Sequence, residues 1–353
     1  MRGEALDLLL ADFPPAGFAM VMATGVVSIA LHRQGLSWLA HALFVLNIVA
    51  WAVLWMLNLL RAVRHPRRFF GDMIAHGSAP GYFTAVAATG VLGTHYLVLS
   101  DDLPIVGALW ILSAALWCAL TYTVFVGLTV REKKPTLERG LSGIWLLAIV
   151  ATQAVAVLSA QLAAHVAQPW KLELNFVALS MWLWGGMLYM WIMTMIFYRY
   201  TFLPFSPGDL TPPYWINMGA MAISTLAGSL LVLNASEAPF LHSLLPFLKG
   251  FTVFYWATAT WWVPMLVLLG IWRYFWKRFP FQYDTSYWGA VFPLGMYALS
   301  TQEMARALAL DFLDWIPRAF LIAALLAWTL TFVGLLRRIA ALGKHCLRLQ
   351  RQV

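Results

Sequence analysis

Uninterrupted apolar stretches of about 20 residues recur along this chain from one end to the other. No other feature restricts its fold as tightly, because ~20 residues at 1.5 Å rise per residue cross ~30 Å of hydrocarbon. Only 11% of the residues are charged and 62% are hydrophobic, whereas soluble domains carry roughly a quarter charged residues. In hydrocarbon each backbone N–H and C=O must find its partner within the protein, which leaves helices or closed barrels. The alternation expected of membrane strands is absent, so the sequence predicts an all-α integral membrane protein.

Ten spans are predicted, at about 15–32, 37–63, 79–99, 104–130, 140–163, 172–199, 213–233, 246–277, 286–309 and 315–340, within one transmembrane domain over residues 1–353. Pro15, Pro80, Pro104 and Pro213 mark helix starts, where a missing N–H costs nothing. Glu4, Asp7 and Asp12 precede the first span and no small-residue cleavage site follows it, so it does not read as a cleavable signal. Of 23 Lys and Arg residues, 18 fall on the side of the termini and of the loops after the even spans. The five on the other side are Arg33, Lys171, Lys249, Arg306 and Arg318. The positive-inside rule then puts both termini in the cytoplasm, and the chain is expected in the cell (inner) membrane. The net charge of +8 belongs to this asymmetry rather than to a nucleic-acid surface, since no soluble basic face exists. Cys118 and Cys346 give no disulfide framework, and no cofactor or metal set is predicted.

The odd spans resemble one another. Ala23-Thr24-Gly25-Val26 is echoed by Ala88-Thr89-Gly90-Val91 and by Ala151-Thr152-Gln153, while Tyr214-Trp215 is echoed by Tyr287-Trp288. The spacing is one helical hairpin, which suggests five hairpins in the same orientation about an axis along the membrane normal. Odd spans, rich in small residues, form an inner ring with an axial pore in this reading. Even spans turn Trp51, Trp55, Trp110, Trp117, Trp182, Trp184, Trp261 and Trp262 toward lipid or other subunits.

Several of these strings resemble a known family. Phe13-Pro14-Pro15-Ala16-Gly17-Phe18 leading into Val21-Met22-Ala23-Thr24-Gly25 is similar to the first helix of the tellurite-resistance/C4-dicarboxylate transporter family, which includes fungal malate and sulfite exporters and plant slow anion channels. Val130-Arg131-Glu132, Thr211-Pro212-Pro213-Tyr214-Trp215-Ile216-Asn217-Met218-Gly219 and Tyr287-Trp288-Gly289-Ala290-Val291-Phe292-Pro293 continue the likeness. The resemblance implies ten helices in a quasi-fivefold ring, a homotrimer with one pore per subunit, anion transport without ATP, and a phenylalanine of span 9 plugging the pore. By motif that residue is Phe292.

Pro293, next to Phe292, removes a helix hydrogen bond and can hold the ring across an inner cavity. Val21, Val86, Ile149 and Gly219 are the smaller residues at roughly equivalent points of the other inner spans. Helical periodicity returns Leu299 and Glu303 to within ~20° of the face of Phe292, and Arg306 to within ~40°. Glu303 and Arg306 are read either as pore residues or as a local ion pair. Thr24, Thr89, Thr152, Gln153 and Asn217 can offer hydrogen bonds to an anion, or in the threonines' case bond back to their own helix. His95 reads as interfacial.

These residues predict passage of small anions (a dicarboxylate, a sulfite- or tellurite-like oxyanion or an inorganic anion) among membrane lipids. A proton-coupled carboxylate carrier using Glu303 is the alternative. An integral-membrane enzyme is disfavoured, because no His, Asp or Cys cluster shares one membrane depth.

Overall fold

The computed structural model describes the backbone of residues 2–351 and the side chains of residues 7–342. Ten long helices account for most of it: α1 (Ala19–Arg33), α2 (Ser37–Arg64), α3 (Phe83–Leu99), α4 (Leu103–Val130), α5 (Leu147–Ala163), α6 (Trp170–Phe202), α7 (Ile216–Asn234), α8 (Leu245–Ile271), α9 (Trp288–Leu308) and α10 (Trp315–Arg351). Among the described residues nine helices are long and apolar enough to cross a membrane. The exception, α9, has the length at 21 residues, but its last two turns carry Glu303 and Arg306 behind Ser300, Thr301 and Gln302.

Odd and even helices differ in burial. In the apolar stretches of α1, α3, α5 and α7, 72–89% of residues are buried, against 17–50% in the even helices. The odd helices pack in a cycle: α1 on α3, α3 on α5, α5 on α7, α7 on α9, and α9 back on α1. The hydrophobic core is this inner layer. Outward faces stay apolar, as Ile111, Leu268 and Leu330 show, which is what a lipid-facing surface requires.

Each odd helix is led in by one 3-10 turn: Pro15–Phe18, Ala79–Tyr82, Gly143–Leu146, Pro212–Trp215 and Thr285–Tyr287. Regular α-helix therefore starts several residues after the prolines at three of these sites, because the proline sits in the tighter leading turn. Hairpins turn over tightly on the opposite face. After α1, Gly35 adopts φ +83°, and the bonds Leu36 N–H to Leu31 C=O and Gly35 N–H to His32 C=O, both 3.0 Å, close a Schellman turn that needs a residue without Cβ strain.

The tryptophans correct the sequence expectation. Instead of facing lipid, one indole on every even helix donates to the odd helix of the next hairpin. Trp51 reaches Thr89 Oγ1 (3.2 Å), Trp117 reaches Thr152 Oγ1 (2.8 Å), Trp182 the Ser224 carbonyl (2.9 Å), Trp256 Thr301 Oγ1 (3.0 Å) and Trp328 Thr24 Oγ1 (3.0 Å). Trp110 and Trp262 also point inward, to Ser159 and to the Tyr189 hydroxyl, and Trp55 packs on Phe18. Only Trp184 and Trp261 of the expected set are exposed. A buried indole N–H needs an acceptor, and threonine hydroxyls or, for Trp182, a backbone carbonyl of the inner helices supply it, so each outer helix ties two hairpins together.

A second recurring device fixes the face bearing most of the basic residues, called the basic face below. At the end of α2 the buried Arg61 donates to the Ala11 carbonyl (3.0 Å), to the Tyr82 hydroxyl (3.3 Å) and to Asp72. At the end of α6 the buried Arg199 donates to the Leu141 carbonyl (2.6 Å), to the Tyr214 hydroxyl and to Asp209 (3.1 Å). Both guanidiniums also lie over a ring, Phe69 at 5.9 Å and Phe205 at 5.5 Å. Each arginine thus holds the loop after an even helix to the leading turn of the next odd helix.

Candidate functional site

The five leading turns surround a cavity of about 330 Å³ on the basic face. Its walls come from all five hairpins: Pro15 and Met22, Ser78, Ile144 and Leu147, Pro213 and Ile216, and Ser286, Gly289 and Phe292. The wall is mainly apolar, with Ser78, Asp284, Thr285 and Ser286 as its polar members. Five parallel helices begin around it, so five positive dipole ends, each roughly half a charge, converge there.

Phe292 lines the cavity and is itself 1% exposed. Its neighbour Pro293 lies within α9 and is seated on Gly219 of α7; a Cβ on Gly219 would come within 2.7 Å of Pro293 Cγ. The bare glycine lets the two helices close together at the level of the ring. Farther along the same helices is a second void of about 10 Å³, lined from all five by residues including Val26, Val91, Ala154, Ile223, Met296 and Leu299. That is room for about one water at most. Met296 and Leu299 stand ~6 and ~10 Å beyond Phe292 by helical rise. Both voids are enclosed by the same five helices, so they lie on the common axis.

Residues 12–336 match the family model described as voltage-dependent anion channel. The chain belongs to that family. It is a family of channels and transporters, not of enzymes. Relatives include an uncharacterized membrane protein of Mycobacterium tuberculosis, 37% identical over 44% of this chain and 78% of the relative. An uncharacterized transporter of Methanocaldococcus jannaschii is 23% identical over 93% of this chain and 95% of its own. A sulfite efflux pump of Trichophyton rubrum is 25% identical over 92% and 90%. Transport of anions across a membrane is thus the activity of this protein's family.

Other residues singled out in the sequence lie as follows. Leu299 lines the narrow void. Thr24 and Thr89 are turned to the tryptophans of α10 and α2. Gln153 donates to the Trp182 carbonyl (3.1 Å) and lies against Gly185 of α6. Asn217 donates to the Tyr200 hydroxyl (3.2 Å), again toward α6. Val21, Val86, Ile149 and Gly219 are buried but line neither void; Met22, Leu147 and Ile216 stand on the vestibule instead, because register set by short strings slips where the leading turns differ.

Glu303 is buried and sits between two guanidiniums, Arg306 at 2.9 Å on its own helix and Arg33 at 3.1 Å from α1. It lines neither axial void. Sequence periodicity found the first partner; Arg33, 270 positions away, has no local signal. His95 is not interfacial but fully buried. Its Nε2 is 2.7 Å from Ser28 Oγ and its Nδ1 3.4 Å from Asn47 Nδ2. Ser28 donates onward to the Ala40 carbonyl (2.6 Å), so polar groups of α1 and α2 replace water around the ring.

Proposed function

We propose that this protein passes small anions along the axis of α1, α3, α5, α7 and α9, with Phe292 closing the route between the wide vestibule and the narrow far half. One observation carries this reading: a cavity walled by all five hairpins and rimmed by five helix N-termini is lined at its inner end by Phe292, whose neighbour Pro293 is seated on Gly219. The dipole ends favour negative charge in the vestibule. A phenyl ring has nothing to replace an ion's hydration, so it excludes ions by dewetting the constriction. Leu299 and Met296 extend the apolar barrier. Thr24, Thr89, Gln153 and Asn217 are engaged elsewhere and do not enter this lining. Glu303 serves here as a clamp between the far ends of α1 and α9, not as a proton site.

A sulfite-like oxyanion is the substrate class that likeness to the fungal efflux pumps supports, with C4-dicarboxylates next. The charge asymmetry supports a cytoplasmic basic face, and with it a cytoplasmic vestibule. Exposed aromatics on the even helices, Trp184, Trp191 and Trp261 among them, supply surface for a homotrimer, which a monomer mass in mild detergent would eliminate. The function is tested by loading liposomes containing the purified protein with sulfite, malate or chloride. Efflux above empty liposomes, largest for sulfite, is expected; none for any of the three sinks the reading.

A further inference from the structure

The arginine device described above occurs three times in sequence but is completed only twice. Arg61, Phe69, Asp72 and Tyr82 form one set, and Arg199, Phe205, Asp209 and Tyr214 another. Arg273, Phe279, Asp284 and Tyr287 follow the same order between α8 and α9, with the aspartate 11 residues after the arginine, against 11 and 10 in the first two. The ring contact is kept: the Arg273 guanidinium lies 4.3 Å from the Phe279 centroid and 5.1 Å from that of Tyr274. The carboxylate and the hydroxyl are diverted. Asp284 turns to cap the leading turn of α9, accepting the Ser286 N–H at 2.7 Å. Tyr287 bonds to the Tyr274 hydroxyl at 2.8 Å.

Arg273 is therefore left over. It is 8% exposed, and its Nε is buried without a hydrogen-bond partner. Among the described residues no carboxylate lies within ion-pair range of it. A ring face offsets part of the cost of burying this cation but accepts none of its in-plane N–H donors. Arg273 lines a cavity of about 340 Å³ together with Thr211, Gln282, Tyr283, Asp284 and Ser286. Asp284 and Ser286 also line the axial vestibule, so the two cavities share a wall. A second cation stands near: burial pushes the Tyr283 hydroxyl above its ordinary range, and the Arg338 charge pulls it partway back.

We propose that Arg273 anchors an anion-binding site beside the vestibule, where a small oxyanion occupies the place that Asp72 and Asp209 fill in the two completed sets. The class of ligand follows from the donor. A planar guanidinium presents parallel N–H groups to a pair of oxygens, as on a carboxylate or a sulfur oxyanion, and gives no such match to a spherical halide. Asp284, facing the same cavity, opposes tight retention, which suits a site that holds an anion and then releases it. The transport role of such a holding site rests on the proposed function; binding itself does not.

Calorimetric titration of the full-length protein in detergent, with sodium sulfate as probe, tests this. Sodium succinate and sodium chloride serve as further arms at matched ionic strength. Saturable binding of sulfate and of succinate is expected in the wild type and in Phe292→Ala. Arg273→Gln should weaken it about tenfold or more, the usual effect of removing a charge-assisted hydrogen-bond pair, with no change in melting temperature in sulfate-free buffer. A wild type without saturable binding, an Arg273→Gln protein that titrates like wild type, or chloride competing as well as succinate each overturns the assignment. If Arg273→Gln does not fold, Thr211→Asp decides: a carboxylate placed in the same cavity should abolish sulfate binding in a protein at least as stable as wild type, and unaltered binding refutes the site. Liposomes that show no flux while sulfate still binds would defeat the proposed function and leave this site standing.

Discussion

The two halves of the axial route are built from the same five helices, yet one encloses about 330 Å³ and the other about 10 Å³. On the basic face the helices start from 3-10 turns, whose loops are pulled outward to the ends of α2 and α6 by Arg61 and Arg199. Beyond Phe292 no such device intervenes. A Cβ on Gly219 would come within 2.7 Å of Pro293 Cγ at the level of the ring, and farther on a Cβ on Gly90 would come within 3.1 Å of Ala154 Cβ. The backbones approach, and Val26, Ile223, Met296 and Leu299 fill the axis. Width is thus set by what holds the helix ends, while closure is set by small residues between helices and by larger apolar ones on the axis.

The largest effect should come at the boundary. Phe292→Ala joins the vestibule to the far half, and anion conductance in planar bilayers should rise by about tenfold or more, since each ~1.4 kcal/mol off a barrier is a factor of ten. Selectivity among small anions should change little, because no binding group is created. Equal conductance at equal protein density would remove Phe292 from the gate. In the Phe292→Ala background, Leu299→Ala should raise conductance again by a smaller factor; if Leu299→Ala alone matched Phe292→Ala, the closure would belong to the far half.

A smaller effect is expected at the far mouth. Glu303→Gln leaves Arg33 and Arg306 without their shared carboxylate, and the melting temperature should fall by a few degrees. Anion flux should keep its response to an imposed proton gradient. A flux that loses proton dependence in Glu303→Gln would restore Glu303 as a proton site and make the protein a coupled carrier.

The smallest effect concerns the basic half. Burial of Asp209 would raise its carboxyl, but the Ser206 hydroxyl and N–H and the Arg199 guanidinium more than offset this and hold it below its usual range. A carboxyl whose folded value is depressed contributes stability above its unfolded value, near 4, and that contribution is lost as pH falls through the lower folded value. Asp209→Asn should therefore lower the melting temperature slightly at neutral pH, with the gap to wild type narrowing below about pH 4. A gap that is constant with pH would show that the loop is not held by this charge. The effect is small because the carboxylate is 35% exposed.

Apolar run length was enough to establish an all-helical membrane chain, and the short Ala-Thr-Gly strings were enough to mark which helices are alike. Both are local signals: bilayer thickness acts on each segment separately, and each string lies within one helix. Phe292 was singled out only through the family resemblance; helical periodicity then put Leu299 on its face, and the two line the two successive voids. Thr89 and Thr152 bond back to the Ala85 and Ala148 carbonyls of their own helices, the local alternative, but the tryptophans that reach the threonines were misread, because a span's composition does not say which neighbour it meets. Thr24 accepts from Trp328, 304 positions away, and Arg33 reaches Glu303 across 270. Whether Arg273 keeps its aspartate could not be read either, because the order Arg, Phe, Asp, Tyr is the same in all three sets. Only the path of the loop turns Asp284 to the N–H of Ser286; a carboxylate takes the donor that the fold brings nearest, and that choice is made by the packing of the helices.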